Sequence, residues 1–152
     1  MKTNLLTCCA MMLLAGVALA GGPAAIDKPL SGVIGGKKWT GTHAYLWSFQ
    51  KDPAKYYNIE IVSKAMPDKW DRKEVDKLLV TLPKEAGKYE FDHKFNITFF
   101  QPPGKNIVCP KGRLTVTRNG EVYHVELVAE HDKDNSVSGS FTFTPPKGGK
   151  GK

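Results

Sequence analysis

Cysteine is scarce in this chain: three in 152 residues, two of them, Cys8 and Cys9, within the first twenty. The chain also lacks any apolar run long enough to cross a bilayer comfortably. The nearest approach is Leu5 to Leu19, "LLTCCAMMLLAGVAL", shorter than a spanning helix needs. Met1-Lys2 ahead of that run and the small residues Ala18-Leu19-Ala20 behind it give the layout of a secretory signal cut after Ala20. A lipid anchor would need a cysteine at the end of the run, and Cys8 and Cys9 stand at its beginning. Removing 20 of the 152 residues leaves 132, enough for one domain with its own core. Two cysteines leave with the signal. Only Cys109, in "IVCPKG", remains, so no disulfide can form inside the exported chain.

Acid is the minority charge, 15 Asp and Glu against 22 Lys and Arg, for a net charge of +7. Lysine supplies nearly all the base. What is missing is a basic stripe: the lysines are interleaved with acids, as in "DKWDRKEVDK", which is the pattern of a solvated surface and not of a nucleic-acid interface. The familiar catalytic and cofactor motifs are absent too. There is no serine nucleophile elbow, no phosphate-cradling glycine loop, no paired-histidine zinc helix and no Cys-x-x-Cys. No catalytic residue, metal or cofactor is therefore assigned. An enzyme, of hydrolase type, ranks third among the functional classes because converging catalytic roles are not displayed.

What is present is the punctuation of an all-β fold. The expected architecture is a single antiparallel β-barrel or β-sandwich of about eight or nine strands, with one short helix over "DKWDRKEVDK", 68–77. The boundaries that follow are a signal peptide at 1–20, a flexible segment at 21–29, the β domain at 30–144 and a disordered basic tail at 145–152, where "PPKGGKGK" cannot pack a core. The clearest unit is "GRLTVTRNGEVYHVELVAE". Asn119-Gly120 is a strong two-residue hairpin signal and sets Arg118 opposite Glu121, Val116 opposite Tyr123 and Leu114 opposite Val125 on the core face, with His124 outward beside Thr115. Gly35-Gly36 predicts a second hairpin with Gly32 opposite Trp39, leaving the indole a position without a side chain to lie across. Period-two alternation turns Ile59, Ile61, Leu78, Val80, Leu82, Phe95, Ile97, Phe99, Val137, Phe141 and Phe143 inward.

Four places invite a functional reading. "KKWTGTHAYLWSF" puts Trp39, His43, Tyr45, Trp47 and Phe49 at odd positions. Trp39, His43, Tyr45 and Trp47 are the ligand-binding candidates, either an aromatic platform or core. Gly41 in the middle predicts a bulge that divides the run, so its halves need not share a face. Cys109 reads as a buried apolar residue, an intermolecular link or a nucleophile. His131 to Asn135, "HDKDN", carries hard oxygen ligands of the kind calcium takes, yet lacks the glycine and bidentate acid of a calcium loop and reads as a polar hairpin. "NIT", Asn96 to Thr98, matches a glycosylation acceptor by chance within a strand.

"LSGVIGGKKWTGTHAYLW" and "LTVTRNGEVYHVELVAEHDKDNSVSGSFTF" together resemble small uncharacterised exported bacterial all-β domains, lipocalin-like in layout. Lipocalins carry Gly-x-Trp near their start, where this chain has "GKKW". The expectation is an exported, periplasmic or secreted binding protein for a small apolar or glycan-like ligand or an envelope partner. The competing class is a structural or accessory envelope protein with no small ligand.

Overall fold

Alternating apolar residues on successive strands can close only by curling one sheet onto itself or by stacking two, and this chain curls. The computed structural model describes residues 24–46, 52–66, 68, 70–91 and 96–145. Within them are β1 (Ala24–Ile34), β2 (Lys37–Leu46), β3 (Tyr56–Val62), β4 (Lys77–Pro83), β5 (Gly87–Glu90), β6 (Ile97–Gln101), β7 (Lys105–Val108), β8 (Lys111–Asn119), β9 (Val122–Asp132) and β10 (Asn135–Phe143). They form one antiparallel sheet in the order β5-β8-β9-β10-β1-β2-β3-β4-β6-β7, curled into a half-barrel. Ten strands stand where eight or nine were expected, and the two without a sequence signal are β5 and β7. Each has four residues and lies at an edge of the sheet, too short for alternation to register. β1 starts at Ala24, so 24–29, expected to be a flexible lead-in, is strand.

The inner face is the one period two foretold. Ile59, Ile61, Leu78, Val80, Leu82, Ile97, Phe99, Val137, Phe141 and Phe143 are all buried in one cluster; Phe95 lies outside the described residues. At one end of the interior the ring of Tyr57 meets those of Tyr123 and Phe143 at 5.6 and 5.5 Å, so side chains from β3, β9 and β10 touch across the space the curl encloses. Burial raises the Tyr57 hydroxyl's pKa, with Tyr123 beside it adding to the shift.

Both hairpins form, one of them in a different register. Gly35 and Gly36 have φ of 61° and 75°, as a two-residue turn with both positions left-handed requires, and Gly32 pairs with Trp39 as expected. Across β8 and β9, however, Asn119 pairs with Val122, Arg118 with Tyr123, Val116 with Val125 and Leu114 with Leu127. The loop is therefore Gly120-Glu121. Only Gly120, at φ 60°, is left-handed, which is the pattern of a turn with glycine at its first central position and leaves Asn119 in the ladder. Each β8 residue consequently meets a β9 residue two positions further along. A two-residue slip preserves the face: Leu114, Val116, Tyr123, Val125 and Leu127 stay buried and His124 stays exposed, opposite Thr117 instead of Thr115.

The expected helix over 68–77 shrinks to a single 3₁₀ turn, Asp71–Glu74. Its burial is the reverse of its hydropathy. Trp70 is 60% exposed, while Arg72 is buried at 6%.

Candidate functional site

Strand residues on the outer face should meet water, yet one patch of that face is dry. Tyr45 of β2 pairs with Glu60 of β3, Glu60 with Leu79 of β4, and Leu79 with Thr98 of β6. Two residues along, at the next position on the same face, Lys77 pairs with Phe100. This outward row is covered by the β3–β4 connection, which lays Met66 and Arg72 over it. The Met66 amide donates to the Tyr45 hydroxyl at 2.7 Å, and the Arg72 guanidinium lies 4.3 Å above the Tyr45 ring.

Beneath that cover sits a buried ionic cluster. Arg72 Nε donates to Glu60 Oε1, Lys77 Nζ donates to Glu60 Oε2 at 3.1 Å, and the three side chains are 7%, 4% and 8% exposed for Arg72, Glu60 and Lys77. Backbone carbonyls complete the set: Arg72 Nη1 donates to Met66 O at 2.7 Å and Lys77 Nζ to Arg72 O at 2.6 Å. One carboxylate thus stands between two cations, each with a second acceptor, which is the condition under which buried charges are tolerated. Nothing in the sequence marks this group in advance. Glu60 falls between two inward isoleucines, the ordinary mark of a solvated strand residue, and nothing in "DKWDRKEVDK" singles out Arg72.

Beside the cluster runs a groove of about 410 Å³ lined by Lys73, Glu74, Lys77, Leu79, Phe100, Pro103, Gly104 and Asn106. The connection forms one bank and the β6–β7 hairpin the other, with Leu79 and Phe100 of the outer sheet face between them. A groove of that size is within the range of small-molecule sites. Lys77 Nζ lies 4.7 Å from the Phe100 ring centre, and Lys73 Nζ lies 3.7 Å from that of Trp70.

The sequence-predicted aromatic residues divide between two faces, although Gly41, the expected bulge, stays in register opposite Leu30. The β1–β2 ladder shifts register between Ala25 and Leu30, and the inward positions of β2 change from Trp39 and Gly41 to Ala44. Trp39 is in the interior cluster, its Nε1 donating to Asp76 O at 3.2 Å. Tyr45 is on the opposite face under Arg72, as described. His43, paired with Val62, is half-buried on the same outer side as Tyr45. Trp39 and Tyr45 therefore do not line one cavity. Trp47 and Phe49 lie outside the described residues. The indole also occupies different ground from that expected: a β-carbon at Gly41 would stand 2.6 Å from Trp39 Cη2, whereas one at Gly32 would stand 1.9 Å from the Ser136 carbonyl oxygen.

At His43, Thr42 Oγ1 donates its only proton to Ser63 O at 2.8 Å. The 2.9 Å contact between Thr42 Oγ1 and His43 Nδ1 must then be donated by the ring, which fixes the Nδ1–H form. The "HDKDN" loop is a hydrogen-bonded turn. Asp132 Oδ1 accepts from the Asp134 amide at 2.9 Å and from Asn135 Nδ2 at 3.1 Å, and Asp132 Oδ2 is 2.8 Å from His131 Nδ1. The His131 contact leads the causes that hold the Asp132 carboxyl below its ordinary pKa. Asn135 Oδ1 faces away from the loop and accepts from the Gly35 amide and Gln101 Nε2 at 3.1 and 2.8 Å. Among the described residues no group of three or more His, Cys, Asp or Glu is placed to hold a metal ion.

Cys109 is fully buried at the seam between β7 and β8. Its amide donates to Ile97 O at 2.8 Å. Its sulfur lies 3.1 Å from Lys111 O and 3.2 Å from Glu130 O and accepts from the Glu130 amide at 3.1 Å. Burial pushes the thiol pKa up, away from the thiolate a nucleophile needs. Native protein is expected to react with an aromatic disulfide reagent on the order of 10²-fold more slowly than the denatured chain. Equal rates in a stopped-flow comparison would show an accessible thiol instead. No protein-family model, curated protein or solved structure matches this chain significantly.

Proposed function

We propose that this protein is an exported, non-catalytic binding domain that holds a small apolar ligand in the groove between the β3–β4 connection and the β6–β7 hairpin. The single observation that carries this reading is the groove itself: Leu79, Phe100 and Pro103 on the outer face of a half-barrel whose described inward side chains form one buried cluster. In a lipocalin-like layout the ligand would go inside. Here the apolar groove among the described residues is outside, against strands β4 and β6. Export rests on the leader-like first 20 residues and a periplasmic or secreted location follows from it. A glycan-like ligand fits less well, because the described groove offers one phenyl ring and few paired donors and acceptors.

The test is titration with a neutral naphthylamine dye whose emission rises in apolar surroundings. Wild type is expected to bind it saturably. Phe100→Ala, at a half-buried residue, should weaken binding about 5–30-fold, the equivalent of about 1–2 kcal/mol for one ring's worth of contact. Saturable binding that Phe100→Ala leaves unchanged would place the ligand elsewhere. No binding by any apolar probe would favour the second reading, a structural or accessory envelope protein, which the burial of Trp39 in the core cluster supports.

A further inference from the structure

The groove has a polarity its apolar floor does not explain. Of its charged lining residues two are cations, Lys73 and Lys77, and one is an acid, Glu74. The lysines are four residues apart across the 3₁₀ turn and meet the groove from the same bank. They differ in a way that matters for recognition. Lys77 is buried and held: two of its three N–H groups are committed to Glu60 Oε2 and the Arg72 carbonyl, and the ammonium faces the Phe100 ring. Lys73 is exposed and rests on the exposed Trp70 ring, a contact that a long side chain can leave at small cost. One fixed and one movable ammonium therefore border an apolar floor.

From this we infer that the groove selects an anionic amphiphile, a small aryl or acyl carboxylate or sulfonate, over neutral and cationic molecules of the same apolar body. The inference rests on the proposed binding reading and adds the ligand's charge. The apolar body lies on Leu79, Phe100 and Pro103. The acid group lies toward Lys77, and Lys73 swings from Trp70 to meet it. A neutral ligand would cover the lysine bank without replacing the water it displaces. A cation would meet two ammonium groups. Glu74 stands at the solvent side of the same bank and is exposed, where screening weakens its opposition.

Two dyes with the same ring system separate charge from shape: anilinonaphthalene sulfonate and neutral phenylnaphthylamine. Wild type is expected to bind the sulfonate about fivefold to tenfold tighter at low salt, with the gap narrowing as salt is added. Lys73→Met/Lys77→Met should close the gap between the two dyes. Lys77→Met retains the Glu60–Arg72 pair, and its folding is checked by a urea transition. Lys73→Met alone, at an exposed site, should close part of the gap without any folding consequence. Lys105→Met, on β7 outside the groove, should change nothing. Equal affinity of wild type for the two dyes, or a gap that survives both lysine substitutions, overturns the inference while leaving an apolar groove standing. Failure of both dyes to bind overturns the binding reading and this inference with it.

Discussion

Glu60→Ala is expected to cost the fold about 3–5 kcal/mol, the toll of leaving buried charge uncompensated. Glu60 carries the carboxylate that Arg72 Nε and Lys77 Nζ share in the covered patch of the outer face, and its side chain is 4% exposed. Removing it takes the carboxylate from between two buried cations under the β3–β4 connection. A domain of this size has about 5–15 kcal/mol in total, so the loss should appear as a large fall in the urea midpoint with little change in slope. Glu60→Gln keeps the shape and removes the charge, and should recover only a minor part of the loss. If Gln restores wild-type stability, packing rather than charge explains the residue. The opposite replacement is informative as well. Glu60→Leu with Arg72→Met and Lys77→Met exchanges the whole cluster for apolar volume and should come out near neutral or stabilising. Such a result would show that the charges add no net stability over apolar side chains of similar volume.

That cluster also marks where the sequence stopped being informative. Alternation is a local property: it fixes which side of a strand faces in, and Ile59, Ile61, Leu78, Val80 and Leu82 all lie where period two puts them. Alternation cannot say what later folds back over the outside. Met66 and Arg72 of the β3–β4 connection lie over the outer face, so Glu60 is outward and buried at once, and Arg72 is buried although Trp70 near it is exposed. The hairpin β8–β9 shows the second limit. Its face could be read because apolar residues occupy alternate positions on both strands, but its register depended on which residue took the left-handed conformation. Asn119 and Gly120 were both eligible, and glycine alone took it. That so long a run would divide was legible, but not where: Gly41 keeps its register opposite Leu30, and the irregularity lies beyond it, where 26–29 of β1 face Thr42. Which surface each half meets was not legible either, because that depends on strands β3 and β10 and on the connection. The groove was invisible for the same reason. Its two banks are separated by β4, β5 and β6 in the chain, and its lysines look like any others in a lysine-rich sequence.

Gly32 and Gly41 look alike in sequence, one in each strand of the first hairpin, and substitution should separate them. Gly32→Ala is expected to destabilise at or beyond the upper end of the usual overpacking cost of about 1–3 kcal/mol. Its β-carbon would stand 1.9 Å from the Ser136 carbonyl oxygen and 2.7 Å from the Val137 α-carbon. These are backbone atoms of β10, paired to β1 through Gly32 and Val137. No side-chain change can move them, so relief would require the β1–β10 ladder to part at the centre of the ten-stranded order. Gly41→Ala meets side chains instead, Trp39 Cη2 at 2.6 Å and Ile61 Cγ2 at 2.7 Å, and should fall within about 1–3 kcal/mol. A double-mutant cycle then distinguishes the two. Trp39→Phe removes the outer edge of the indole and should offset part of Gly41→Ala, giving a favourable coupling of about 0.5–3 kcal/mol. Combined with Gly32→Ala, Trp39→Phe should be additive to within about 0.5 kcal/mol, because the strand carbonyl and not the indole fills that space. Coupling at Gly32 and none at Gly41, measured by urea denaturation, would return the indole to the place pairing alone assigns it, across the strand from its own.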